Sequence, residues 1–174
     1  MSENVAVKMS AILHENDKIG WGRGITGVLF ITDKRLAFVK LIEKKALKKF
    51  LIYRYEECPE NLEDALKNEG SFEVPINQIT EAAPDTILKT PYMRIRYNAP
   101  SGEKVFSFIL SITWTGSGIS PGAISYYMML AEIIKQAKNG ILVTKSTITD
   151  KNVNTREMIR IIKIWKMSRD NLAK

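Results

Sequence analysis

The stretch from Gly27 to Ile42, GVLFITDKRLAFVKLI, constrains the fold more than any other part of the chain. Two runs rich in β-branched, leucine and aromatic residues are divided by Asp33-Lys34. A two-residue polar break between such runs is a β-hairpin signal. Alternation puts Val28, Phe30 and Thr32 on one face and Leu29 and Ile31 on the other. In the second run Leu36, Phe38 and Lys40 alternate with Ala37, Val39 and Leu41. Both faces are largely apolar, so the hairpin is expected to be central and covered on both sides.

Just ahead of it, Gly22, Gly24 and Gly27 spell G-x-G-x-x-G. A dinucleotide fingerprint needs a helix directly after its glycines, because the helix N-terminus receives the pyrophosphate. Here strand residues follow instead. A kinase glycine loop does lie between strands, but no V-A-I-K, H-R-D or D-F-G follows. The glycines therefore read as structural, relieving crowding where a strand bends in a small barrel.

Farther along, residues 43–54 either extend the strand or form a short helix. PENLEDALKNEG reads as a short surface helix, opened by Pro59, acidic in its first turn and closed by Gly70. SFEVPINQITEAA reads as a strand bent at Pro75. A second hairpin is expected over residues 92–112, with Tyr92, Arg94 and Arg96 alternating with Met93, Ile95 and Tyr97 around a Ser101-Gly102 turn. WTGSGIS reads as loop. Ser120-Pro121 then predicts the start of a helix over 121–138, closed at Asn139-Gly140. Ile124, Tyr127, Met128, Ala131, Ile134 and Ala137 form its expected core stripe, and Phe30, Phe38, Phe108, Met128 and Ile134 are expected to be buried. The fold class is thus α+β: an antiparallel, barrel-like sheet capped by a C-terminal helix, with a short inserted helix and an extra basic helix in the tail. The expected domain is 1–140, followed by a linker and amphipathic segment over 141–174.

Composition narrows the chemistry. Cys58 is the single cysteine and His14 the single histidine, which excludes a disulfide framework, a thiolate cluster and a multi-histidine metal site. No G-x-S-x-G, H-E-x-x-H or Walker motif occurs, so no catalytic residue, metal or cofactor is called for. MSENVAVKMSAILHEND has no apolar core behind basic residues, and no run approaches the length of a membrane span. A cytoplasmic address is expected. The net charge of +7 is unevenly placed. Lys34 to Arg54 is basic, Glu56 to Glu73 is acidic, and the chain turns basic again beyond residue 139. The basic block reads either as a solvated surface or as a patch for phosphate-bearing ligands.

ILHENDKIGWGRGITGVLFITDKRLAFVK resembles the opening of a PH-like domain of the bacterial PH or GRAM type. Gly27, Leu29, Ile31, Thr32, Arg35, Leu36 and Phe38 match its pattern G-x-L-x-[IL]-T-x-x-R-[LI]-x-F. FEVPINQITEA, MRIRYNAPSGEKVFSFIL and residues 121–138 resemble its later strands and closing helix. Residues 43–70 are longer than the family's usual connection, and the tail has no counterpart. The resemblance implies a non-catalytic binding or scaffold module for proteins, peptides or phosphoinositides, with self-pairing in some members. On a lipid reading, an anionic headgroup at the inner membrane surface would meet Lys18, Arg23, Lys34 and Arg35.

In the tail, Asn154 and Glu157 are spaced as a capping box, predicting a helix from Thr155. Met158, Ile161, Ile162 and Trp165 share one stripe, while Arg160 and Lys163 belong to its basic side. This segment suits packing on its own domain, docking on a protein partner or another copy, or lying on an anionic membrane. Nucleic acid is the least favoured partner, because a single basic helix lacks the interleaved aromatics of single-strand binders.

Overall fold

The computed structural model describes residues 3–17, 19, 24–44, 54–115, 117–120, 122–142 and 146–153. Lys18, Gly22, Arg23, Pro121 and the whole of 154–174, including Met158, Arg160, Ile161, Ile162, Lys163 and Trp165, lie outside the described residues.

The chain begins with a long strand β1 (Val5–His14), which sequence reading leaves unassigned. The expected hairpin follows as β2 (Ile25–Thr32) and β3 (Arg35–Lys40), in register Ile31↔Leu36. Its two faces divide as the alternation requires. Leu29, Ile31, Leu36 and Phe38 enter the main core, while Val28, Phe30, Ala37 and Val39 form a second, smaller cluster. That outer cluster is closed by Leu62 and Ala65 of α1 (Leu62–Ala65), so the acidic insertion works as a lid over the hairpin. The helix is shorter than the span from Pro59 to Gly70 suggests. Asn61 is its N-cap, its side chain accepting from the backbone of Glu63 and Asp64, and turns carry the chain on to Gly70. Between hairpin and insertion, β4 (Glu43–Lys44) pairs with β5 (Arg54–Tyr55).

The strand expected to bend at Pro75 is two strands. β6 (Phe72–Pro75) ends in a 3-10 turn over Ile76–Gln78, and β7 (Ile79–Ile87) follows. β7 turns into β8 (Thr90–Ala99) through Leu88 and Lys89, both with positive φ (47° and 67°), which suits a primed hairpin turn. β8 then pairs with β9 (Gly102–Leu110) as expected. The sheet order is β6-β3-β2-β1-β9-β8-β7. Its two end strands are thus joined by one short turn, so the sheet must curl until its ends approach. Phe72 of β6 meets Phe106 of β9 across the interior at 5.3 Å.

WTGSGIS is more ordered than a loop: a 3-10 turn over Ser111–Thr113 leads into the small hairpin β10 (Trp114–Thr115) and β11 (Gly118–Ile119). The capping helix α2 runs Ile124–Lys138 rather than from 121, with Ala123 in place of Ser120 as its N-cap residue. It ends at Gly140 (φ 68°), whose N–H donates to Ala137 O while Ile141 N–H donates to Gln136 O, a Schellman closure. Tyr126, Tyr127, Leu130, Ile133, Ile134 and Ala137 face the core. Phe30, Phe38, Phe108 and Ile134 are buried as expected, but Met128 is 47% exposed and Ile124 37%. The buried stripe is rotated by about one position, taking in Tyr126, Met129, Leu130 and Ile133, and both stripes share Tyr127. Its hydroxyl accepts from Leu110 N–H at 3.0 Å and pairs with Thr113 Oγ1, and burial pushes its pKa up to about 12.

The sheet continues past residue 140. β12 (Ile148–Thr149) runs parallel to β1, in register Val7↔Ile148 and Lys8↔Thr149. Among the described residues, no helix is long and apolar enough to cross a membrane.

Candidate functional site

β7 is an end strand of the sheet, and Pro84 in its middle fits that place, since proline cannot donate to a ladder. α2 lies alongside it. Between them runs a groove of about 510 Å³, lined by Ile79, Ala82, Pro84, Met128, Ala131 and Lys135 among others. The rotated stripe leaves Met128 out of the core and lining this groove. At one end Lys138 Nζ donates to Ile79 O at 2.5 Å. A carbonyl engaged by a lysine at one end and a proline farther along blunt β7 against strand addition.

The two described headgroup candidates sit on the β2–β3 turn. Thr32 Oγ1 accepts from Lys34 N–H (3.0 Å) and Arg35 N–H (2.9 Å), fixing the turn. Lys34 is among the residues with partners of their own. The Arg35 guanidinium meets three carboxylates. Its Nε donates to Glu3 Oε1 at 2.9 Å and one Nη to Glu3 Oε2 at 2.6 Å, and it is paired with Glu63 and Glu73 as well. Glu3, ahead of Glu63 and Glu73, holds the Arg35 pKa well above the ordinary arginine value. Burial works to raise the Glu3 carboxyl, but Arg35 and Thr32 outweigh it and leave its pKa below the usual range. The Thr32 and Arg35 that carry the family-like pattern therefore tie the N-terminus, the β2–β3 turn, α1 and β6 together. Lys18 and Arg23 lie outside the described residues.

The other cations expected on a strand face are paired too. Arg94 bridges Glu81 and Asp85, and Arg96 bridges Glu81 and Glu103. A cleft of about 530 Å³ opens beside Gly24, Ile25, Lys40, Ile42, Glu43 and Glu69, with two carboxylates for its one lysine. A hollow of about 440 Å³ is bounded by Leu13, Phe72, Tyr97, Lys104 and Phe106. His14 is half-buried at the end of β1, and burial lowers its pKa. Cys58 is half-buried under the insertion, and burial raises its thiol pKa. Among the described residues, no group of three or more His, Cys, Asp or Glu side chains is arranged to hold a metal ion.

The two described glycines of the G-x-G-x-x-G run have a packing role. A Cβ on Gly27 would overlap the Phe38 ring and the Val39 carbonyl, and one on Gly24 would overlap Ile12. Neither has positive φ.

A curled antiparallel sheet whose end is plugged by one C-terminal helix is a PH-like architecture. Among solved structures the chain is similar to the Vps36 N-terminal PH domain, at 12% identity over 80% of this chain and 81% of that one, with a TM-score of 0.45. No family model matches the sequence, and no curated protein sequence matches it.

Proposed function

We propose that this chain is a non-catalytic PH-like binding module of the cytoplasm that works by holding protein, copies of itself included. The observation that carries the reading is the groove between β7 and α2. A helix that buries Tyr127 and Ile134 leaves Met128 out of the core, 47% exposed, next to Ala131, Ala82 and Pro84. The groove's charges are mixed, Glu81 and Glu132 beside Lys135 and Lys138, so around its apolar floor it favours a protein segment over an anionic headgroup. The engagement of Arg35 by three carboxylates weighs the same way, since it leaves that guanidinium without a free fork for phosphate. The tail stripe of Met158, Ile161, Ile162 and Trp165, flanked by Arg160 and Lys163, is the second surface assigned to protein contact in this reading.

Native mass and vesicle sedimentation, at low and high salt, test it together. The expected result is a mass above one chain, reduced by Trp165→Ala with little change in melting, and no salt-sensitive binding to anionic vesicles. If Trp165 instead packs on its own domain, the same substitution costs about 3–5 kcal/mol of stability. Salt-sensitive vesicle binding that Trp165→Ala weakens, with mass and melting unchanged, would replace the protein reading by a peripheral membrane one using Lys18, Arg23 and Lys34.

A further inference from the structure

The core-facing positions of β9 run Leu110, Phe108 and Phe106, and the next position on that face is Lys104. On β8 the corresponding series is Met93, Ile95 and Tyr97, and Tyr97 stands directly opposite Lys104 in the strand register. Opposed residues project from the same face, with Cβ atoms about 5 Å apart. On β1, Val7, Met9, Ala11 and Leu13 enter the core, and Glu15 follows two residues later. Tyr97, Lys104 and Glu15 all line the hollow of about 440 Å³, together with Leu13, Phe72 and Phe106. Its floor is core. Leu13 and Phe106 are buried, and the half-buried rings of Phe72 and Tyr97 meet Phe106 edge-on at 5.3 and 6.0 Å. The polar groups around this floor are unspent. On the opposite face Arg96 is bridged to Glu81 and Glu103, whereas Lys104 and Glu15 have no ion-pair partner among the described residues. The Tyr97 hydroxyl has no hydrogen-bond partner among them either, and burial raises its pKa.

We propose that this hollow binds a small monocarboxylic acid with an aromatic or branched aliphatic body. The carboxylate sits between the Lys104 ammonium and the Tyr97 hydroxyl, and the body lies on Leu13, Phe72 and Phe106. An apolar lining with a few convergent polar groups, in a volume of about 300–1,000 Å³, is the make-up of a small-molecule site. A carboxylate that accepts from an ammonium and a hydroxyl gains charge-assisted hydrogen bonds, which a neutral ligand of the same shape does not. Glu15 on the rim opposes a second negative charge, which favours a monocarboxylate over a phosphate monoester. The hollow shares no lining residue with the β7–α2 groove, so the site goes beyond the protein-binding reading and stands or falls apart from it.

The test is a titration of the isotope-labelled full-length protein with phenylacetate, phenylethanol and phenyl phosphate, followed by amide chemical shifts. The expected result is saturable shifts at Leu13, Phe72, Tyr97 and Phe106, with the acid bound roughly tenfold more tightly than the alcohol. Lys104 is exposed, so Lys104→Gln should leave the fold intact and remove most of that preference. Tyr97→Phe should weaken the acid several-fold and spare the alcohol. No saturable shift at these residues at millimolar acid would overturn the site. Equal affinity for acid and alcohol, a preference that survives Lys104→Gln, or tighter binding of phenyl phosphate would overturn the monocarboxylate. None of these outcomes bears on native mass or on Trp165.

Discussion

Replacing Arg35 by methionine keeps much of the side chain's apolar stem and removes the cation that joins four parts of the chain. The size of the loss follows from exposure. The Arg35 and Glu3 side chains are only 15% and 20% exposed, whereas Glu63 is 69% and Glu73 46% exposed. Pairs with such exposed carboxylates contribute about 0–1 kcal/mol each. The two-pronged contact with Glu3 lies in a drier place, and taken as one charge-assisted unit it contributes about 1.5–3 kcal/mol. Arg35→Met should therefore cost about 2–4 kcal/mol in denaturant unfolding, without altering the m-value. A double-mutant cycle apportions it: coupling of Arg35 with Glu3, by Glu3→Gln, should exceed its coupling with Glu63. The pH dependence follows from the same contact. The folded Glu3 pKa lies below its unfolded value, so its contribution is present above the unfolded carboxylate pKa and lost as pH falls through the folded one. The acid limb of the wild-type stability curve should flatten in Arg35→Met. A loss under about 0.5 kcal/mol, within the range of an ordinary surface substitution, or a larger coupling to Glu63, would refute the placing of the cluster's strength at Glu3.

Two further outcomes check the core. Tyr127→Phe removes the acceptor for the buried Leu110 N–H and the partner of Thr113 Oγ1, and should cost about 1–3 kcal/mol by thermal or denaturant unfolding. A change within error would mean that the hydroxyl does not hold α2 to the Leu110–Thr113 segment. Gly27→Ala should cost about 1–3 kcal/mol as an overpacking change against Phe38 and Val39, with no effect on nucleotide binding assayed by equilibrium dialysis. Bound nucleotide lost on that substitution would return the glycines to a phosphate loop.

The parts of the fold legible in the sequence are those fixed by short-range patterns. Alternation over Val28–Val39 separates the two clusters that the structure shows, and Asn139-Gly140 marks a helix end that geometry requires. β1 is central and yet unread, because VAVKMSAILH carries alanine, serine and methionine where β-branched residues would have signalled a strand. The β7–β8 turn is missed for a related reason: Leu88 and Lys89 take positive φ without glycine or asparagine to announce it. The periodicity of α2 admits a stripe through Ile124 and Met128 almost as well as the buried one through Tyr126, Met129, Leu130 and Ile133, and the core residues that choose between them lie on other elements. The same limit governs the candidate sites. A pattern match marks Arg35 as a cation worth attention, but the carboxylates that engage it lie 28 to 38 residues away, and no local spacing reveals them. Asp150 reaches Ser10 across 140 residues. Long-range partners decide whether a basic residue is available to a ligand and whether a strand edge is open. For this chain they turn a basic turn into a structural clamp and a supposed linker into part of the sheet, which leaves the β7–α2 groove as the surface on which a partner would act.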